Sequence, residues 1–280
     1  GERDLGPWRT GRLESLVRVV QVVTLISPDG AFGGPVSVAR AQCAALADRG
    51  HEVTLFAAAP VETPTTVEDN GYTLRLFPAR FITRRLGFAA LCAPALNKAL
   101  RAQLGSTDVA HVHLARDLVT LPAVRTIRRY GTPFVVQTPG MIDPSGNPLA
   151  WPVDRWETRR ALAAASPVLA LTSEEEVGIA AVQARARVRR IANGVPVGDL
   201  PPYEGRPRTV LFLARLHPRK RVSAFIEAAE MVASAVSDVT FTIAGPDEGD
   251  GAFVTAKLLG SQLAARMKWV GAVPPDEAAA

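Results

Sequence analysis

The sequence predicts an α/β protein built from two parallel-sheet domains, the second of them incomplete. Three observations lead to this prediction. Apolar, β-branched runs alternate with stretches of helical periodicity along the whole chain. A proline-rich segment at 196–208 interrupts the alternation. The alternation then resumes over 209–280, which is shorter than the ~100–150 residues of a typical domain.

The predicted first domain covers 17–195 and follows an N-terminal extension at 1–16. Its strands are nearly continuous apolar runs, which indicates a parallel sheet covered by helices on both faces. The predicted strands are 17–27, 51–59, 72–79, 108–115, 132–138, 167–173 and 187–195, and the predicted helices are 35–50, 88–104, 117–130, 151–165 and one that begins at Glu174.

The segment 196–208 contains four prolines and two glycines, which is typical of an interdomain linker. The predicted second domain covers 209–280. Its predicted strands are 209–214, 239–245 and 268–273, and its predicted helices are 220–235 and 253–265.

Composition limits the class of protein. Of the 280 residues, 48% are hydrophobic and 21% are charged, which indicates a globular chain. No apolar run reaches the ~18 residues that a membrane-spanning helix needs. Only Cys43 and Cys92 carry thiols, so we expect a reducing, cytoplasmic location. The net charge of +5 favours anionic partners.

A cluster of fixed positive charge follows the first strand of the second domain. Ligands of open parallel sheets bind outside the carboxyl ends of the strands. Arg215 lies at that end and presents a planar fork of donors, and Lys220 adds a point charge where a helix begins. In the first domain, Gly33 and Gly34 allow a close backbone approach before a helix. Together these residues predict a site for a diphosphate.

Motifs for other chemistries are missing from the sequence. It contains no Asp-x-Asp, no His/Cys cluster with metal-ligand spacing, no Gly-x-Ser-x-Gly and no Gly-rich phosphate loop. We therefore predict no metal and no cofactor, with cationic side chains compensating the phosphate charge instead.

Eight segments, read in order and spacing, resemble one known family. They are "GAFGGPVSVARAQCAALADRGHEVTLF", "HVHLARDLVTLP", "PFVVQTPGMIDPSG", "LTSEEE", "IANGVPV", "FLARLHPRKR", "IAGPDEGDG" and "WVGAV". The chain resembles the retaining nucleotide-sugar glycosyltransferases of the GT-B fold, a group with sucrose synthase-like and bacterial polysaccharide enzymes. The resemblance covers nearly all of 17–277.

The resemblance implies a fold and a reaction. It implies two Rossmann-like domains facing a cleft and metal-free transfer of a sugar, with retention, from a nucleoside-diphosphate donor to an acceptor. It assigns the donor diphosphate to Arg215, Lys220, Gly33 and Gly34, and the nucleotide pocket to Gly245, Val270 and Gly271.

The chain departs from the family in two places. Pro139 stands where relatives usually have His, beside Gly140 and Met141, and these three border the expected sugar and acceptor pocket. The glutamate-bearing segment that relatives have beyond "PPDEAAA" is also absent. The alternative is therefore a non-catalytic nucleotide-sugar-binding protein of the same fold, or an inactive fragment.

Three basic or histidine-bearing segments leave alternatives open. For His111 and His113, which alternate along one strand, we expect at most one to face a cleft. The arginines of 185–190 lack interleaved aromatic residues, so we interpret them as a solvated edge, with no nucleic-acid partner. The basic segment 80–101 fits either a peripheral membrane contact, with a lipid-linked acceptor, or an ordinary amphipathic helix and loop. The basic charge alone would also fit a protein that binds nucleic acid or a membrane, and this is the third function that we consider.

Overall fold

The computed structural model describes residues 15–27, 33–83, 89–138, 140–145, 150–194, 207–260 and 263–273. The chain divides into two compact units, Gly1–Pro196 and Val197–Ala280. Most of the expected N-terminal extension at 1–16, most of the expected linker at 196–208 and all of Pro139 lie outside the described residues.

The first unit contains an eight-stranded sheet in the order β10-β9-β8-β7-β1-β2-β4-β3. All neighbouring strands run parallel except β3 and β4, which form an antiparallel hairpin. The strands of the sheet are β1 (Arg18–Leu25), β2 (Glu52–Ala59), β3 (Thr65–Asp69), β4 (Tyr72–Pro78), β7 (Val109–His113), β8 (Phe134–Gln137), β9 (Val168–Ala170) and β10 (Val188–Arg190). A separate two-stranded ribbon pairs β5 (Arg80–Phe81) with β6 (Leu91–Cys92).

Helices cover both faces of this sheet. On one face, α1 packs Ala39 and Cys43 against Val23 and Leu55. On the other face, α2, α3 and α5 contribute buried side chains to a core that includes Phe56. This arrangement confirms the predicted parallel sheet with two covered faces. The helices are α1 (Gly33–Ala47), α2 (Pro94–Gln103), α3 (Thr120–Tyr130), α4 (Ala150–Val153), α5 (Arg159–Ala164) and α6 (Ser173–Val182).

The second unit contains a three-stranded parallel sheet among its described residues, in the order β11-β12-β13. Ile226 of α7 and Val254 of α8 pack with Phe241 and Ile243 in its core. The elements are β11 (Arg208–Leu213), α7 (Val222–Ala235), β12 (Val239–Ala244), α8 (Gly251–Gly260) and β13 (Met267–Trp269).

Several predicted boundaries were wrong, each for a local reason. Strand β3 was missed because its residues are polar and mostly exposed, so it shows no apolar alternation. The helix predicted over 88–104 begins only at Pro94, because β6 precedes it and proline favours the first helical turn. The helix predicted over 151–165 contains a π-helical turn, Asp154–Thr158, between α4 and α5. Helix α7 starts after Lys220, because Arg221 adopts a left-handed φ of 56°.

Candidate functional site

Arg215 lies directly beyond the carboxyl end of β11, as the sequence predicted. Its Nη1 donates to both carboxylate oxygens of Glu248, at 2.7 and 2.8 Å. Glu248 belongs to the loop after β12, so the ion pair joins the loops that follow two neighbouring strands. The Arg215 side chain is still 42% exposed. Among the described residues, its other guanidinium nitrogens have no hydrogen-bond acceptor and remain available to an anion.

Lys220 ends a short 3-10 turn, Pro218–Lys220, between β11 and α7. The ring of His217 shapes this turn, because its Nδ1 accepts a hydrogen bond from the amide of Arg219 at 3.1 Å. The Lys220 amide donates to the His217 carbonyl at 2.7 Å. The Lys220 side chain itself is exposed. The turn therefore fixes the backbone and leaves the ammonium group free to meet a ligand.

Gly245 connects the ends of the three described strands of the second unit. Its φ is +150°, and a Cβ at this position would lie 1.9 Å from the Ala214 carbonyl oxygen. Its amide donates to the carbonyl of Gly271 at 2.7 Å, and its carbonyl accepts from the indole of Trp269 at 3.0 Å. Close backbone contact therefore accounts for this glycine. Val270, which we assigned to the nucleotide pocket with Gly245 and Gly271, is 45% exposed.

Asp247 organises the same loop. Its Oδ1 accepts from the amides of Gly249 and Gly251, at 2.9 and 2.8 Å. These two hydrogen bonds lower the pKa of the Asp247 carboxyl below its ordinary value. A Cβ at Gly251 would lie 2.4 Å from this carboxylate, so only glycine fits there. The "GPDEGDG" segment is thus a rigid loop whose exposed side chains include Glu248.

In the first unit, Gly33 is the first residue of α1, and Gly34 follows in its first turn. The space around Gly34 is open, because a Cβ there would have no described atom within 4 Å. At Gly34, the predicted close approach is therefore not made by another described part of the chain. The opening leaves room for a ligand at the start of a helix, where free amides favour anions.

Gly140 and Met141 lie in the loop after β8. Gly140 has a left-handed φ of +63°, and a Cβ at this position would lie 3.8 Å from the Glu175 carboxylate. Arg116 holds this loop, because it donates to the carbonyls of Met141 and Asp143 and makes a bidentate pair with Asp154 at 2.8 and 3.0 Å. Sequence reasoning missed Arg116, although its position just beyond β7 was a usable signal.

A buried polar cluster lies on one face of the first sheet, and sequence reasoning did not find it. His111 and His113 stack with their ring centroids 4.5 Å apart. Because residues two apart on a strand share a face, both rings lie on the same side of the sheet, and the expectation that at most one of them faces a cleft stays a prediction. His113 Nε2 lies 3.1 Å from Gln21 Oε1, and Gln42 of α1 donates to Gln137 Oε1 at 3.2 Å.

Several polar atoms of this cluster lack partners within the described ranges. They are Gln21 Nε2, Gln42 Oε1, His111 Nε2, His113 Nδ1, Gln137 Nε2 and Thr138 Oγ1. Burial lowers the pKa of His111 to about 4 and that of His113 well below its ordinary value. Both imidazoles are therefore neutral at pH 7. The cluster offers neutral donors and acceptors, which suit hydroxyl groups better than charged ones.

Asp117 fixes the start of α3. It is 1% exposed, and burial raises the pKa of its carboxyl. The carboxylate accepts from the hydroxyl of Thr24 and from the amides of Val119 and Thr120. It therefore ties the end of β1 to α3.

The described residues bring no three His, Cys, Asp or Glu side chains together in a group that could hold a metal ion. None of the described helices is both long enough and apolar enough to cross a membrane.

Comparisons with known proteins identify the fold class. A variant of S. aureus TarM, solved with fondaparinux, α-GlcNAc-glycerol and UDP, is 10% identical with a TM-score of 0.62, and the match covers 92% of this chain and 78% of that one. A UDP-forming α,α-trehalose-phosphate synthase from Burkholderia vietnamiensis is 13% identical with a TM-score of 0.61, covering 95% and 74%. A trehalose-6-phosphate synthase studied for glycosyl transfer with retention is 11% identical with a TM-score of 0.58, covering 94% and 74%. The architecture is that of the GT-B glycosyltransferases.

The family follows from a match in sequence. Residues 33–194, more than half of the chain, match the Glycosyl transferase 4-like domain. The chain belongs to this family and is a glycosyltransferase. The search of curated proteins found no match.

Proposed function

We propose that this glycosyltransferase takes its sugar from a nucleoside-diphosphate donor and binds the diphosphate through Arg215 and Lys220. The observation that carries the proposal is the pair of loops at the carboxyl ends of β11 and β12. Backbone contacts around Gly245 and Asp247 hold these loops. The loops present the exposed ammonium of Lys220 and the guanidinium nitrogens of Arg215 that meet no acceptor among the described residues. The UDP in the structurally similar TarM complex is consistent with this ligand class.

The ion pair with Glu248 determines which nitrogens of Arg215 can bind a phosphate. Only Nη1 is engaged by the carboxylate, so a phosphate can bind the remaining nitrogens without displacing Glu248. The paired carboxylate also orients the guanidinium, which reduces the rotamer freedom lost on binding. Arg215 is therefore preorganised for the diphosphate.

The proposed reaction is transfer with retention and without a metal. Sugar transfer builds positive charge on the sugar carbon and negative charge on the leaving diphosphate. Arg215 and Lys220 stabilise the leaving oxygens, and removal of one such donor typically costs on the order of 10²–10³ in rate. Retention fits the trehalose-6-phosphate synthase neighbour, and the use of cationic side chains fits a site without a carboxylate pair.

The other proposed contacts follow the family resemblance. Gly33 and Gly34 contact the diphosphate and sugar, and Gly245, Val270 and Gly271 line the nucleotide pocket. The sugar and acceptor are assigned to Pro139, Gly140 and Met141, the last two of which lie in the loop that Arg116 anchors.

The acceptor in this proposal is lipid-linked and is approached through the segment 80–101. The composition and exposure of this segment support a contact with a lipid-linked acceptor. The segment carries five basic residues and no acidic one, and Phe81 and Ile82 are 49% and 69% exposed. On α2, by contrast, Leu96 and Leu100 are buried, so this helix is an ordinary amphipathic helix of the core.

The second candidate function is a binding protein that has the same donor site but does not catalyse sugar transfer. Pro139 offers neither a hydrogen-bond donor nor a proton where an imidazole could contact the sugar. The chain would then bind a nucleotide sugar without transferring it.

Thermal shift with UDP, GDP and their sugars, with and without EDTA, tests donor binding. We expect at least one nucleotide to raise the melting temperature equally in both conditions. No shift with any nucleotide contradicts the donor assignment, and a shift abolished by EDTA contradicts metal independence. Product formation by the chain and by Pro139→His then separates the two functions. Transfer by the unsubstituted chain supports the enzyme, and donor binding without transfer in either form supports the binding protein.

A further inference from the structure

The surface formed by α3, α4, the π-helical turn and α5 carries an unusual concentration of arginine. Six arginines are exposed there, and the acidic side chain among them is Glu157, which lies 3.6 Å from Arg125. This excess of five positive charges equals the net charge of the whole chain. Asp154 does not neutralise it, because its carboxylate is paired with Arg116 beneath the surface. The six residues are Arg125, Arg128, Arg129, Arg155, Arg159 and Arg160.

Two tryptophans share this surface and are exposed. Trp151 is 67% exposed and Trp156 is 55% exposed. The guanidinium carbons of Arg155 and Arg160 lie 5.4 and 5.7 Å from the centroid of the Trp156 ring. A solvated helix face would account for the arginines, but it does not account for two indoles left in water. We call these eight residues the arginine–tryptophan surface.

The surface is also concave. Arg125, Arg128, Arg129 and Arg160, with Glu157, line an open cavity of about 430 Å³ between α3 and α5. Four arginine side chains therefore line one opening, and guanidinium groups bind phosphate groups through forked hydrogen bonds.

We propose that the arginine–tryptophan surface binds an anionic phospholipid membrane. Tryptophan is enriched at the level of lipid headgroups, where its ring is buried and its N–H stays hydrated. Arginine side chains beside it contact lipid phosphates. A single-stranded nucleic acid fits less well, because a stacking base needs a free ring face and two guanidinium groups already lie over Trp156.

This contact uses residues other than those of the segment 80–101 and of the donor site, although α2 of that segment packs against α3. Arg128 and Arg129 are in the last turn of α3, and β8 begins shortly after them at Phe134, so they lie towards the amino ends of the strands. Arg215 and Lys220 belong to the second unit. Membrane binding and donor binding can therefore each fail without the other.

Sedimentation with vesicles tests the proposal. We expect the chain to bind vesicles that contain phosphatidylglycerol and not vesicles of phosphatidylcholine alone, with binding that weakens as salt is added. Each arginine near an anionic surface contributes about fivefold in partitioning, so Arg125→Gln, Arg128→Gln and Arg129→Gln together should reduce it on the order of 100-fold.

The matched control changes the same charge elsewhere. Arg185→Gln, Arg187→Gln and Arg190→Gln remove three arginines at and beside β10, an edge whose described residues include no tryptophan. The control should retain most of the binding. An equal loss in both triple variants overturns the proposal, because it would mean that only net charge matters. Equal binding to phosphatidylcholine also overturns it, as does tighter binding to single-stranded RNA than to anionic vesicles.

Tryptophan emission gives a readout of position. Anionic vesicles should shift the emission to the blue, and Trp156→Phe should remove most of that shift while melting temperature and nucleotide binding stay unchanged. If the full blue shift persists in the double variant Trp151→Phe, Trp156→Phe, the membrane contact lies elsewhere and the proposal is overturned.

Discussion

The polar side chains on the strands of the first unit differ in chemistry from those at the strand ends of the second unit. In the first unit, the strands bring buried, neutral side chains together, and both histidines are uncharged at pH 7. In the second unit, the strands end in tight glycine loops that hold partly exposed charges. A buried neutral cluster suits sugar hydroxyl groups, whereas exposed fixed cations suit a diphosphate. The difference supports a division of labour between the units within the proposed reaction.

The comparison predicts the largest loss of stability at Arg116 in the first unit. Arg116→Ala leaves Asp154 as a poorly exposed carboxylate without its partner and frees the carbonyls of Met141 and Asp143. We expect a loss of about 3–5 kcal/mol in the free energy of unfolding, measured by urea titration. Arg125→Ala is the control, because its pair with Glu157 is exposed and should contribute under about 1 kcal/mol. Equal losses would contradict the view that Arg116 is the anchor of the loop.

The buried histidines predict an acid-sensitive first unit. Their folded pKa values lie below the ordinary 6.5, so the unfolded chain binds more protons as the pH falls. The folded state therefore has its full stability above pH 6.5, where the histidines are neutral in both states. The free energy of unfolding falls as the pH drops below 6.5, and for His111 it goes on falling until the folded pKa of about 4. Each histidine should cost about 1.4 kcal/mol per pH unit below 6.5.

Urea titrations between pH 7 and pH 5 measure this slope. The double variant His111→Gln, His113→Gln is the comparison and should give a flatter profile, since glutamine does not titrate. An unchanged slope in the double variant would mean that other groups cause the acid sensitivity.

Substitution of glycine by alanine should change the free energy of unfolding differently in the two units. Gly245→Ala places a methyl group against the Ala214 carbonyl at a φ that favours glycine, so we expect a loss of about 2 kcal/mol. Gly34→Ala meets open space in a helix and should preserve stability or raise it by up to about 1 kcal/mol. Thermal melts check both. If Gly34→Ala also reduces donor binding, the opening at the start of α1 has a ligand role, and unchanged binding would remove that assignment.

The smallest expected effect is at the start of α6. The hydroxyl of Thr172 accepts from the Glu175 amide at 3.1 Å and caps the helix. Thr172→Ala should cost about 1 kcal/mol, measured by urea titration, with Thr172→Ser as the control that keeps the cap. A full loss with serine as well would contradict a capping role.

Sequence patterning was sufficient for the alternating strands and helices, because a parallel sheet covered on both faces requires continuous apolar strands. It could not find β3, whose polar strand depends on pairing with β4 across the Asn70-Gly71 turn. It also could not find the polar cluster. Gln21 and Gln137 resemble ordinary exposed positions until the sheet places them beside His113.

For the donor site, the sequence indicated Arg215 and Lys220 from their position after a buried strand. It could not indicate that Glu248 would pair with Arg215, because this contact joins loops 33 positions apart. The sequence also could not distinguish a glycine that is needed for ligand binding from a glycine that is needed for packing. Gly245 is explained by packing against Ala214, and the assignment of this residue to the nucleotide pocket stays a prediction.

The most direct measurement is calorimetric titration of the chain with UDP and GDP. Arg215→Ala and Lys220→Ala should each weaken nucleotide binding by about 10- to 100-fold, the range expected for loss of a charge-assisted hydrogen bond, without lowering the melting temperature. Arg219→Ala, which removes an exposed arginine from the same turn, should leave the affinity within about twofold. Unchanged affinity in both Arg215→Ala and Lys220→Ala would contradict the assignment of the diphosphate to these two residues.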